Sequence, residues 1–172
     1  MNKDKGQVLN LDGGAYDTAN GSSDSLQNRQ GYPVWLATFV DIYQRLGTDN
    51  LQLLLQVYAP NVHFQDPLHV IEGRKQLLEY FDAMYTNLSH CRFTIDDVIY
   101  NDQEAAIYWH MNFIHSSLNN GKAIEVQGHT RLRADGDKVS YHRDYLDAGA
   151  MLYEHIPVLG RLVKMVKNRA GQ

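Results

Sequence analysis

The chain has 172 residues, 44% of them hydrophobic and 21% charged, with a formal net charge of −4 at pH 7. That length supports one cored domain with flanking segments, and the acidic balance argues against nucleic-acid binding, which goes with a basic excess. A single cysteine, Cys91, excludes an internal disulfide, and no CxxC, HxH or HExxH spacing points to a metal.

Residues 1–31 hold Gly6, Gly13, Gly14, Gly21, Ser22, Ser23 and Ser25 with few large apolar groups. Such a stretch buries too little surface to offset its ordering entropy, so it reads as a flexible arm. It carries no apolar run of signal-peptide length, and no run in the chain is long enough to span a membrane; the reducing cytoplasm is the expected compartment.

From Pro33 the pattern turns helical. Trp35, Phe39, Ile42, Tyr43 and Leu46 recur at three- and four-residue spacing and form one apolar stripe. Gly47 ends this helix, and Thr48 or Asp49 can cap a second one carrying Leu51, Leu54, Leu55 and Tyr58, which Pro60 stops. A short strand comes after it, in which Val62 and Phe64 point one way and His63 and Gln65 the other. Asp66 falls in step with Val62 and Phe64, so a carboxylate shares an apolar face. Apolar surroundings disfavour a carboxylate's charged form, which suits a proton-transfer base. Asp-Pro is equally a turn opener, so Asp66 also reads as the cap of the turn before Pro67.

After Gly73, the residues Leu77, Leu78, Phe81, Tyr85 and Leu88 make a third helical stripe. The period then drops to two. A strand begins at Phe93 and Ile95 and runs to a turn at Asn101-Asp102. The next alternates Ala105, Ile107, Trp109, Met111 and Phe113 with Ala106, Tyr108, His110 and Asn112. Asn119-Asn120-Gly121 is a hairpin signal. The return strand puts Ile124, Val126, Gly128, Thr130 and Leu132 on one face, and after Asp135-Gly136-Asp137 the last strand runs from Val139 to Asp147. Helices followed by a meander of long antiparallel strands make an α+β domain with the helices on one sheet face.

The stretch YAPNVHFQDP from Tyr58 with Gly73-Arg74 after it, RADGDKV from Arg133 and HRDYLD from His142 resemble the nuclear transport factor 2-like superfamily. The branch is that of ketosteroid isomerases, SnoaL-like polyketide cyclases and limonene-epoxide-hydrolase-like enzymes. The resemblance implies a cone-shaped domain over residues 32–148, with three helices packed in a curved sheet around a hydrophobic pocket, and homodimerisation through the outer sheet face. Asp66 matches the base of the ketosteroid isomerases. An ungapped count puts Ile42 at the tyrosine of their oxyanion hole, with Tyr43 next to it, and Gly128 at their aspartate. Asp144 matches a catalytic aspartate of the epoxide hydrolases, whose partner Arg and Asp fall here on Met111 and Phe113.

Neither reaction transfers whole. What the resemblance leaves is an apolar site with Asp66, Asp144 and His142 as catalytic groups; a buried, hydrogen-bonded His142–Asp144 pair that only fixes the strand is the alternative. Tyr43, Phe64, Trp109, Met111, Phe113 and Val126 are its expected ligand-binding walls, and Gln65 is a further polar candidate. The expected activity is a cofactor-free and metal-free isomerase, cyclase or hydrolase acting on a small apolar, carbonyl-containing molecule. The alternative is a non-catalytic ligand-binding or accessory dimer of the same fold. Residues 149–172 form a basic amphipathic tail, with Leu152, Ile156, Leu159, Leu162, Val163 and Val166 against Arg161, Lys164, Lys167 and Arg169. Docking of its stripe on the domain is the expectation, with contact to an anionic membrane surface as the alternative.

Overall fold

The computed structural model describes residues 31–170. The arm expected over residues 1–31 therefore lies, except for Gly31, outside the described residues, and the domain begins as a separate unit at Tyr32. Helix α1 (Val34–Arg45) opens at Pro33, whose carbonyl accepts the amides of Leu36 and Ala37. Pro33 loses nothing there, because the first amides of a helix have no intrahelical partner. Trp35, Leu36, Phe39, Val40, Ile42 and Tyr43 are its buried face. Its end is closed by Asn50, which accepts from the Gly47 amide at 2.8 Å and donates to the Arg45 carbonyl. Neither Thr48 nor Asp49 caps the second helical stretch, contrary to the expectation from spacing.

That second stretch is shorter than its pattern suggests. A 3₁₀ turn (Leu51–Leu53) leads into α2 (Leu54–Val57), and the chain passes directly into β1 (Tyr58–Gln65). Tyr58, expected on a helix, is a strand residue, and Pro60 sits inside β1. It is tolerated because β1 shifts register between Tyr58 and His63 against its neighbour, leaving Pro60 and Asn61 exposed. Strand β2 (Val70–Glu72), which the sequence pattern does not announce, pairs with β1 after the turn at Asp66. Helix α3 (Arg74–Tyr85) buries Leu77, Phe81 and Tyr85.

Four long strands complete the sheet: β3 (Leu88–Tyr100), β4 (Glu104–His115), β5 (Ile124–Asp135) and β6 (Lys138–Leu146). Leu88, expected in the third helical stripe, begins β3. The six strands have the order β2-β1-β6-β5-β4-β3, antiparallel except that β1 runs parallel to β6. Both hairpin signals are met by left-handed backbone, at Asn119, Asn120 and Gly121 and at Gly136. Alternation along β4 and β5 sends Ala105, Ile107, Trp109, Phe113, Ile124, Val126 and Leu132 to the buried side. There they meet Leu36, Ile42, Leu54 and Leu77 of the helices, all fully buried. The sheet thus curls round the helices, and its inner side holds the polar groups of the candidate site.

The chain ends in α4 (Ala148–Met151), a 3₁₀ turn (Tyr153–His155) and α5 (Leu159–Ala170). The expected burial of the tail's apolar stripe is not what the structure has. Leu159, Leu162, Met165 and Val166 are exposed, and Gly160 is the buried residue of α5.

Candidate functional site

A cavity of about 520 Å³ lies between the helices and the inner side of the sheet. Its walls are mainly aliphatic and aromatic, among them Phe39, Tyr43, Phe64, Phe93, Trp109 and Met111, with His69 and His115 also lining it, and among the described residues no lysine or arginine does. Two carboxylates do: Asp66 and Asp144.

Asp66 follows the last residue of β1, where period-two geometry carries it to the face of Val62 and Phe64. Its Oδ1 accepts the amides of Leu68 and His69, each at 2.7 Å, and its Oδ2 accepts the Tyr80 hydroxyl. Both readings of Asp66 therefore hold geometrically: it closes the turn through Pro67, and it faces the cavity. Three donors engage both of its oxygens. Tyr80 holds its proton well above the ordinary tyrosine range, chiefly through burial and next through the bond to Asp66.

Asp144 stands differently. The bonds from His142 Nε2 (2.9 Å) and from the Thr130 hydroxyl both meet its Oδ1, and Oδ2 takes part in neither. Thr130 Oγ1 in turn accepts Trp109 Nε1–H at 2.8 Å. On the other side of the imidazole, Nδ1 lies 2.8 Å from the Tyr58 hydroxyl, which is bonded to the Tyr43 hydroxyl. Tyr43, Tyr58, His142, Asp144, Thr130 and Trp109 thus form one continuous chain from helix α1 across β1, β6 and β5 to β4. Burial is the first cause that pushes Tyr43 and Tyr58 far above the ordinary tyrosine range, with the Asp144 charge adding to it in both.

The structure brings most of the expected site residues together, with three corrections. His142 shares strand parity with Asp144 but does not line the cavity. It is 1% exposed and enclosed by Phe39, Tyr43, Tyr58 and Phe64, with ring centroids 4.8 to 6.2 Å away. It reaches the cavity only through Asp144. Val126 is buried core and not a wall, whereas Tyr43, Phe64, Trp109, Met111 and Phe113 are walls. Gln65 points to the other face of β1 and is not a wall residue. Among the described residues no three His, Cys, Asp or Glu side chains gather in a metal-binding group.

Sequence reasoning missed Tyr80, Tyr58 and Thr130. Tyr80 lies three residues after Leu77 on α3, on the side that the helical stripe already marks, and was legible there. The period of two places Thr130 on the inner face of β5, but nothing in the pattern marks it as a polar group of the site. Gly128, which the ungapped count sets at the aspartate position of the ketosteroid isomerases, has a physical reason to be glycine. A Cβ there would lie 2.6 Å from Cη2 and Cζ2 of Trp109, so the indole fills the space that an acidic side chain would need.

A family model for the SnoaL-like domain matches residues 39–142 of this sequence. No curated protein matches it. Similar solved structures include a candidate SnoaL-like polyketide cyclase from Jannaschia sp. CCS1, with TM-score 0.62 and 11% identity over 69% of this chain and 89% of that one. Another is a protein with a ketosteroid isomerase-like fold from Catenulispora acidiphila, in complex with trimethylamine, with TM-score 0.60 and 15% identity over 69% and 88%. A third is an M. tuberculosis LEH-like epoxide hydrolase, with TM-score 0.55 and 12% identity over 68% and 79%. At these identities the likeness is one of fold.

The buried phenols set an alkaline limit. Tyr43, Tyr58, Tyr80 and Tyr85 all have raised values in the folded state, so above about pH 10 the unfolded chain binds fewer protons than the folded one. Their contribution to stability is complete below that pH and is lost as pH rises beyond it. The expected slope is up to about 1.4 kcal/mol per pH unit for each of the enclosed phenols Tyr43, Tyr58 and Tyr85 that ionises only on unfolding, and smaller for the half-buried Tyr80, which solvent screens. Urea denaturation across this range measures it, and Tyr85→Phe, which removes one such phenol, flattens the slope.

Proposed function

The chain belongs to the SnoaL-like domain family, whose model spans residues 39–142, and from that premise we propose that it binds a small, mainly apolar carbonyl compound and moves a proton on it. The observation that carries this reading is the inequality of the two cavity carboxylates. Asp66 has both oxygens engaged, whereas Asp144 keeps Oδ2 outside the bonds that fix its position. A general base needs a positioned carboxylate with an oxygen left for the proton it takes. Asp144 is that base. His142 is a positioning residue acting through it.

In the proposed step Oδ2 of Asp144 removes a proton from the carbon beside the ligand's carbonyl. The C–H bond breaks, an O–H bond forms on the carboxylate, and the electron pair moves to the carbonyl oxygen as an enolate. Tyr80, which keeps its proton at neutral pH, turns its O–H from Asp66 to that oxygen. Return of the proton to a different carbon gives an isomerase; attack of the enolate carbon on a second carbonyl, whose π bond breaks to an alkoxide that takes the proton back from Asp144, gives a cyclase. Neither outcome consumes a cofactor. Apolar walls and a volume of about 520 Å³ suit a ligand of drug-like size.

A second reading is a carrier without chemistry. Saturation of Asp66 and the Trp109 ring where an oxyanion donor would stand favour it. The test is a panel of cyclic ketones and diketones screened by thermal shift, since a specific binder stabilises by mass action. Bound compounds are then followed in D₂O for exchange at the carbon beside the carbonyl. The expected result is exchange by the wild type that falls about 10²–10⁴-fold in Asp144→Asn with binding kept. Binding without exchange in the wild type selects the carrier.

The same reading includes a two-fold homodimer through the outer sheet face. His129 stacks on Tyr145 at 4.7 Å with planes 7° apart, Tyr108 lies against His129, and the Arg143 guanidinium covers Tyr145. Tyr108 and Tyr145 are 42% and 37% exposed, aromatic surface of the kind enriched in interface cores. Sedimentation at micromolar concentration is expected to give a dimer that Tyr145→Glu dissociates; a wild-type monomer removes this part of the proposal.

A further inference from the structure

Helix α5 is held to the domain by one side. Gly160 meets the backbone of Glu154 so closely that any Cβ there would collide with the Glu154 carbonyl. Seven residues later, on the same side, Lys167 donates to Asp147 Oδ2 at 2.9 Å and to Glu154 Oε1 at 2.5 Å. These contacts fix the helix rotation. They leave Leu159, Leu162 and Val166, spaced by three and four residues, along a different side. The three are 39%, 50% and 62% exposed, and Val158 just before them is 71% exposed.

The charge of the helix is as uneven as its apolar side. Leu159–Ala170 contains Arg161, Lys164, Lys167 and Arg169 and no acid, a charge of +4. With −4 for the whole chain, the remainder carries −4 − 4 = −8. Lys167 is engaged by Asp147 and Glu154; Arg161, Lys164 and Arg169 are exposed. A bare apolar stripe bordered by Arg161 and Arg169 fits an anionic, amphiphilic surface. It fits a second copy poorly, because a two-fold pairing of α5 through this stripe would bring Arg161 and Arg169 of one copy close to the same cations of the other, with no acid on the helix to offset them.

We propose that α5 rests on an anionic lipid bilayer. Leu159, Leu162 and Val166 enter the boundary between headgroups and acyl chains, and Arg161 and Arg169 at the border of the stripe meet lipid phosphates, while Lys164, four residues after Gly160, stands on the domain side and adds only to the positive charge of the helix. At 12 residues the helix is about 18 Å long, too short to cross the roughly 30 Å hydrocarbon layer, so it lies in the interface. The acidic remainder of the chain is repelled by the same surface, which orients the molecule with α5 toward it. Asp147, to which α5 is tied, also caps α4 by accepting the amides of Gly149 and Ala150. Met151 and Leu152, at and just after the end of α4, line the cavity. The lipid-facing helix is therefore bonded to the segment that forms part of the cavity wall, which suits an apolar ligand drawn from the bilayer.

The test is flotation of the full chain with vesicles of mixed phosphatidylglycerol and phosphatidylcholine, and with vesicles of phosphatidylcholine alone. The wild type is expected to float with the anionic vesicles and not with the neutral ones. Binding should weaken at least about tenfold as added salt shortens the screening length from about 30 Å to about 8 Å. Leu162→Glu/Val166→Glu changes two exposed side chains, so it should keep the wild-type Tm while losing flotation by at least about tenfold. The proposal is overturned if the wild type stays with the supernatant, or if this variant floats as the wild type does. It is also overturned if the variant turns a dimer into a monomer and the wild type binds no vesicles, since a second copy would then be what covers the stripe.

Discussion

The site depends on one buried hydrogen-bonded chain, from the Tyr43 hydroxyl through Tyr58 and His142 to Asp144 and on through Thr130 to Trp109. Each member would be costly inside an apolar core without a partner, at about 1–3 kcal/mol for an unmatched buried group. Among the described residues no buried side-chain nitrogen or oxygen lacks one. The chain links α1 to four strands, so the polar groups tie helix packing to sheet register. A shift of β6 by one residue would turn His142 outward, break the bond to Tyr58 and remove Asp144 from the cavity at once.

Proton order is set by donor counting. Thr130 Oγ1 accepts from Trp109, whose indole can only donate, so Thr130 donates its own proton to Asp144. As a carboxylate Asp144 is acceptor-only, so His142 must present Nε2–H to it. In the neutral imidazole Nδ1 then accepts from Tyr58, and Tyr58 from Tyr43. Every bond has a single donor in this order, and no proton is left over. The consequence is a carboxylate fixed by two donors on one oxygen, with the other oxygen outside those bonds on a residue that lines the apolar cavity. Asp66 has three donors over two oxygens, and its share in holding the turn through Pro67 makes it a poorer base and a better anchor for Tyr80.

Much of this was legible in the sequence, and the reasons are local. Alternation along β4 and β5 fixes the inner face, because a period of two admits no other assignment, and the Asn119-Asn120-Gly121 and Gly136 turns state their own left-handed backbone. His142 and Asp144 share parity for the same reason. The errors fall where tertiary structure overrides local pattern. Tyr58 continues a helical stripe, yet the pairing of β1 with β6 claims it for the sheet. His142 and Asp144 differ in exposure because the rings of Phe39 and Phe64 close over the one and not the other, which spacing does not encode. The apolar stripe of α5 looks like core; that Gly160 and Lys167, not the stripe, face the domain rests on a contact with Glu154 that no periodicity reveals.

The direction of the buried chain is what the assignment of Asp144 rests on, and ring ¹⁵N chemical shifts of His142 measure it most directly. With the full-length protein at neutral pH, the expected result is a protonated Nε2 and an unprotonated, hydrogen-bonded Nδ1. Tyr58→Phe should then shift Nδ1 far more than Nε2, and Asp144→Asn should do the reverse. A proton on Nδ1 with Nε2 bare would mean that His142 accepts from Asp144, and that result would contradict the assignment of Asp144 as the base.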